Sequence, residues 1–195
     1  MTGALLQLDR VACIRGDRLL FEQLSLTLAR GAALWLRGPN GVGKSSLIRL
    51  AAGLLRPAAG TVTRRERCAL IDEAAALDPE LPLRRALDFW ARVDTVDGHA
   101  VDRAMEAMAL APLADVPVAM LSTGQRKRGA MARVIASGAP IWLLDEPANG
   151  MDERARGLLV AAIAAHRTNG GAVLLASHFG LGLTDVAELD MGALA

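Results

Sequence analysis

Residues 38–45 read Gly-Pro-Asn-Gly-Val-Gly-Lys-Ser, and no other stretch of this chain restricts its fold as tightly. The string fits the pattern of a glycine, any four residues, Gly-Lys, then Ser or Thr. Its glycines let the backbone curl until successive N–H groups point at one spot. Such a loop needs a strand to deliver it and a helix to receive it. Both are written beside it: residues 33–37 form a short apolar run, and Leu47, Ile48, Ala51, Leu54 and Leu55 recur at helical spacing. The expected order is strand, loop, helix, with Arg56-Pro57 stopping the helix. In that setting Gly38, Pro39, Asn40, Gly41, Val42, Gly43, Lys44, Ser45 and Ser46 are candidates for holding the phosphates of a nucleotide. A glycine-rich turn with a solvated lysine would carry the same letters, and the flanking elements argue against it.

The rest of the chain extends this beginning. Alternation in Leu24, Leu26 and Leu28, after a β-prone start at 6–11, predicts short N-terminal strands with one buried face and an antiparallel edge. Gly60 introduces an expected strand pair at 61–63 and 68–71. From 72 to about 122 the pattern becomes proline-punctuated helices, for instance 83–93 and 101–110. Then come a helix at 123–137, a strand at 141–144, a helix with Leu158, Leu159, Ala162 and Ile163 on one face, and a strand at 173–176. Strands alternating with helices imply an α/β fold with a mainly parallel sheet covered on both sides.

Composition narrows the partners. With 22 basic and 21 acidic residues the net charge is +1, so no broad field points to nucleic acid or anionic lipid, and any phosphate must be caught locally. Cys13 and Cys68 lack metal-ligand spacing and fit a reducing compartment better than a disulfide framework. No run has signal-peptide length or approaches the roughly 18 apolar residues of a membrane span, so the chain is expected to be soluble. At 52% hydrophobic residues and a mean hydropathy of +0.29 it has room for a protein-docking surface, although an Ala- and Leu-rich core accounts for the figure equally well.

Two further stretches carry chemistry. The apolar strand at 141–144 runs into Asp145 and Glu146, a placement that delivers carboxylates to the sheet edge beside the phosphate loop. Asp145 would hold magnesium, and Glu146 would orient or deprotonate an attacking water. Alone, such a run is common; its pairing with 38–45 gives it weight. The second stretch is Leu121-Ser122-Thr123-Gly124-Gln125, before a helix and some twenty residues ahead of the acidic strand. Ser122 or Thr123 would serve as an N-cap.

In this order the stretches resemble the ATP-binding cassette family, whose signature reads close to LSGGQ, and the resemblance covers nearly all of residues 4–190. It implies one domain over 1–195: a P-loop NTPase core from about 1–71 and 138–195 with a small N-terminal antiparallel β part, and a helical signature subdomain over about 72–137. It implies a magnesium-dependent ATPase whose cofactors are ATP and Mg2+. Lys44 would reach the β and γ phosphates, and the Ser45 hydroxyl and Asp145 would serve the metal. Two copies would pack head to tail, so that Leu121, Ser122, Thr123, Gly124 and Gln125 of one complete the phosphate site of the other. Asp152, in Ala148-Asn149-Gly150-Met151-Asp152, matches the dimer-contacting D-loop aspartate, with an N-cap as its alternative role. His178 matches the switch histidine that contacts the γ-phosphate.

Two positions depart from the family. Ala74 stands where a glutamine normally follows the strand before the helical insert, and Glu73 is a candidate substitute as a metal-water ligand. The adenine-stacking aromatic is absent, and Arg15 occupies its place, where a guanidinium plane can lie over the base. Cys13-Ile14-Arg15-Gly16, Pro79-Glu80-Leu81 and the short length look like the ATP-binding subunits of the cytochrome c maturation haem exporter. That implies a peripheral subunit on the cytoplasmic side of the inner membrane with separate integral membrane permease partners. The ATPase of another small exporter, or a soluble or non-hydrolysing regulatory cassette, is the alternative.

Overall fold

The computed structural model describes residues 3–72, 76–178 and 180–194. In chain order its elements are β1 (Ala4–Arg15), β2 (Arg18–Ala29), β3 (Ala33–Arg37), α1 (Lys44–Ala52), β4 (Ala59–Arg64), β5 (Cys68–Ile71), α2 (Leu83–Val93), α3 (Gly98–Ala107), α4 (Thr123–Ala136), β6 (Ile141–Asp145), α5 (Glu153–Thr168), β7 (Ala172–Ala176) and β8 (Ala187–Asp190).

Two sheets share the work. β2, β1 and β4 form a small antiparallel sheet in that order. Its leucines explain it: Leu6 lies opposite Leu28 on the neighbouring strand, and both are buried. The larger sheet is parallel, ordered β5-β6-β7-β3-β8. Its central strands are apolar on both faces, as a sheet covered twice requires. On β6, Ile141 and Leu143 enter one core with α1 and the antiparallel sheet. Trp142 and Leu144 enter the other, with α5 and the helical segment. β7 repeats the division, Ala172, Leu174 and Ala176 to one side, Val173 and Leu175 to the other.

Several expectations change. β4 and β5 do not pair with each other: Leu6 of β1 lies opposite Arg64, and Cys68 lies opposite Ile141. The reason is facing. β4 is largely exposed and suits a sheet edge, whereas Ala69 and Ile71 of β5 are buried and belong in the parallel sheet. Helix α1 closes at Ala52 rather than at Arg56-Pro57, because the Gly53 N–H caps the carbonyls of Arg49 and Leu50. Helix α3 begins three residues before the apolar periodicity, because the Asp97 carboxylate accepts from the Ala100 N–H at 2.9 Å and caps it. β8 has no counterpart in the sequence reading. Its segment Ala-Glu-Leu-Asp is too short and polar to show a period, and it is held at the edge partly by Arg37 and Glu188 at 2.6 Å.

The helical insert leans on Arg133 of α4. Its guanidinium lies 5.0 Å from the Trp90 ring centroid on α2 and donates to the Leu70 carbonyl at the end of β5. Burial lowers its pKa, opposed by the charges of Asp94 and Asp72. Cys13 and Cys68 are both free thiols, and burial raises the pKa of each. No helix among the described residues is long and apolar enough to cross a membrane.

Candidate functional site

The strand order places the ends of β3, β6 and β7 side by side at the C-terminal edge of the parallel sheet, and the candidate residues follow those ends. After β3 comes the glycine-rich loop. Gly43 holds φ at 112°, where a side chain would be strained, and a Cβ there would lie 3.1 Å from the Phe21 ring. The loop is thereby pressed against β2 and turns directly into α1. That helix has no side-chain cap and no acidic residue in its first turn, so its N–H groups and dipole favour an anion. Lys44 is 7% exposed, and its Nζ donates to the carbonyls of Gly38 at 2.7 Å and Pro39 at 3.1 Å. A positive charge is thus fixed at the floor of the site.

Above this floor is a cleft of about 400 Å³. One wall is the loop itself, from Asn40 and Gly41 through Lys44, Ser45 and Ser46; the other brings Glu146, Asn149 and His178. Asp145 is buried at the end of β6, opposite Ala176 of β7. Glu146 adopts φ of 47°, a left-handed conformation rare outside glycine, and its N–H donates to the Ala176 carbonyl at 2.9 Å. Both its carboxylate oxygens are shielded from solvent and accept no hydrogen bond from the described groups. The Nε2 of His178 lies 3.3 Å from Oε1, near enough to form an ion pair if protonated. Two shielded acceptor oxygens in a cleft walled by the glycine-rich loop can accept the proton of a small donor such as water.

The chemistry of the two candidate ligands suits magnesium; Ser45 lines the cleft, whereas Asp145 is buried and is not among its lining residues. A Ser45 hydroxyl and the Asp145 carboxylate are hard oxygens, and no cluster of three or more His, Cys, Asp or Glu among the described residues forms a dedicated metal cage. Magnesium commonly takes one or two protein oxygens and completes its shell with phosphate and water.

Other expected residues stand elsewhere. Ser122 caps α4 reciprocally: Gln125 N–H donates to Ser122 Oγ at 3.2 Å and Ser122 N–H to Gln125 Oε1 at 2.8 Å. Leu121 is buried, Ser122 and Thr123 are exposed, and none of residues 121–125 lines the cleft of its own chain. The start of α4 instead rests on the loop after Glu146: a Cβ at Gly124 would fall 2.7 Å from the Gly150 carbonyl oxygen, and one at Gly150 would fall 3.0 Å from the Thr123 methyl. Asp152 caps α5, accepting from the Ala155 N–H at 2.7 Å. Arg15 stands exposed at the β1–β2 turn and is not among the lining residues, while Leu20 of the same hairpin is. Glu73 and Ala74 lie outside the described residues.

Sequence reasoning missed Leu20 and Asn149. Leu20 reaches the cleft only through hairpin register, which no spacing reveals; Asn149 could have been found, three residues beyond Glu146. Ser46 lines the cleft, and its hydroxyl partly offsets the rise in pKa that burial gives the Cys13 thiol.

Known proteins resemble this chain in sequence and in fold. The ABC transporter family profile matches residues 21–149. A protein of Sphingopyxis alaskensis called cytochrome c biogenesis ATP-binding export protein CcmA is 81% identical over 191 residues, covering 98% of each chain. Its namesake in Zymomonas mobilis is 51% identical over 93% of this chain and 81% of its own. Among solved structures, an ATP-binding subunit of an ABC transporter superposes with a TM-score of 0.83 at 23% identity, covering 90% of this chain and 80% of its own. A dimeric ATP-binding cassette in a post-hydrolysis state with ADP and Pi superposes with a TM-score of 0.80 at 20% identity, covering 89% and 88%.

Proposed function

This chain belongs to the ABC transporter family, and from that premise we propose that it is the ATP-hydrolysing subunit of an export system for cytochrome c biogenesis. Its relatives' name supports the export role, and haem is the cargo we assign to the complex. Separate integral membrane permease subunits would carry that cargo, with this chain peripheral to them on the cytoplasmic side of the inner membrane.

The observation that carries the catalytic reading is the convergence of three elements on one cleft: the loop with Lys44, the shielded carboxylate of Glu146, and His178. The loop's N–H groups between residues 38 and 46, Pro39 having none, and the Lys44 ammonium bind the triphosphate of ATP. Ser45 and Asp145 hold magnesium, which when bound neutralises charge on the phosphates. Glu146 orients the attacking water and accepts its proton, and His178 contacts the γ-phosphate beside it. A second copy supplies Ser122 and Gly124 to that γ-phosphate, with Asp152 at the contact between copies. The exposure of Ser122, away from its own cleft, supports this arrangement. Arg15 lies over the adenine with weaker stacking than an aromatic.

Lys44→Ala tests the site directly. Equilibrium binding of magnesium-ATP should be lost, and an unchanged affinity would remove the loop from nucleotide binding.

A further inference from the structure

We infer that Trp35 is a positioning residue for His178, acting through the backbone at the end of β7; the inference rests on the role given to His178 above. Trp35 stands on β3, three residues before Gly38, with Leu175 of β7 as its register partner. Its indole Nε1–H donates to the Ser177 carbonyl at 2.9 Å. That carbonyl lies in the same peptide plane as the His178 nitrogen, so holding it restricts the orientation of the peptide from which the imidazole departs. The indole also borders the chain beyond His178: a Cβ added at Gly180 would stand 3.4 Å from the Trp35 ring.

The indole is itself held in place. The Arg37 guanidinium sits 4.9 Å from its ring centroid and is fixed by Glu188 of β8 at 2.6 Å. A leucine at position 35 would fill much of the same volume but would donate nothing to Ser177. The result is a path of contacts from the edge strand to the cleft: Glu188, Arg37, Trp35, Ser177, then His178 facing Glu146 at 3.3 Å. The strand that delivers the phosphate loop thus also sets the imidazole on the opposite wall.

The test is a double-variant cycle on the full chain, reading phosphate release and the KM for magnesium-ATP. Trp35→Phe keeps an aromatic ring and removes the N–H. It should lower kcat about fivefold, the scale of one neutral hydrogen bond, with KM unchanged. In a His178→Ala background the same change should cost nothing further, because the group being positioned is gone. Wild-type kcat in Trp35→Phe, or an equal loss in both backgrounds, would overturn the inference, the latter outcome indicating a purely structural role. If His178→Ala alone is inactive, the single change decides, and wild-type kcat or a raised KM in Trp35→Phe removes the role of Trp35; full activity of His178→Ala would remove His178 from the reaction and the positioning role with it.

Discussion

Glu146 is a residue whose placement stability alone does not explain. Its oxygens are shielded and accept no hydrogen bond from the described groups, and its backbone occupies a left-handed conformation. Each feature costs free energy, of order 1 kcal/mol or more. A site that handles a water molecule requires such an unsatisfied acceptor. Glu146→Gln keeps the shape and loses the base, so phosphate release should fall by about 10²–10⁴-fold while ATP binding survives. Equal rates in the two proteins would remove Glu146 from the mechanism. His166 shows a different residue-scale effect. It stacks on Trp142 at 3.7 Å, and burial lowers its pKa, opposed by hydrogen bonds with the backbone at Pro140 and Ala172. The folded state therefore favours neutral imidazole. Stability from this group is present above its ordinary value of about 6.5 and is lost as pH falls below it. Melting temperatures from pH 7.5 down to 5.5 should drop less steeply in His166→Gln than in the wild type; parallel slopes would contradict this.

At the scale of elements, the start of α4 and the loop after β6 form one contact. Gly124 has no space for a Cβ, with the Gly150 carbonyl oxygen 2.7 Å from where it would stand. Gly124→Ala should shift the helix start and depress nucleotide-dependent pairing of two chains, leaving ATP binding to the single chain intact; size-exclusion chromatography of the Glu146→Gln background with ATP would report it. Ser122→Ala should cost about 1 kcal/mol through the lost cap, seen as a lower melting temperature. How far these elements were legible depends on whether their signal is contiguous. The phosphate loop is one string, and its strand and the start of its helix follow from apolar spacing, whereas the helix end at Ala52 does not, since Leu54 and Leu55 continue the spacing beyond it. The N-cap at Ser122 is legible for the same reason, while the return bond from Gln125 three residues on has no counterpart in the sequence reading. Leu20 is not, because it reaches the cleft through hairpin register, and β8 is not, because a four-residue polar edge strand has no period. The pairing of β4 with β1 rather than β5 depends on which sheet each strand's buried face meets, a tertiary property that local alternation does not encode.

At the scale of the whole molecule, the parallel sheet is a rigid carrier buried on both faces, which holds two walls of the cleft in register. Leu174, fully buried at its centre, tests this: Leu174→Ala should cost about 3 kcal/mol and lower the melting temperature by roughly 10 °C. In the proposed pair the site becomes complete only when a second copy is present, since none of residues 121–125 lines the cleft of its own chain. Mixing two inactive variants, Lys44→Ala and Ser122→Arg, tests this most directly. In a two-fold pair one site would then carry both lesions and the other neither. Phosphate release should therefore appear on mixing, although each variant alone is inactive. A mixture no more active than its separate components would contradict a site shared between two chains.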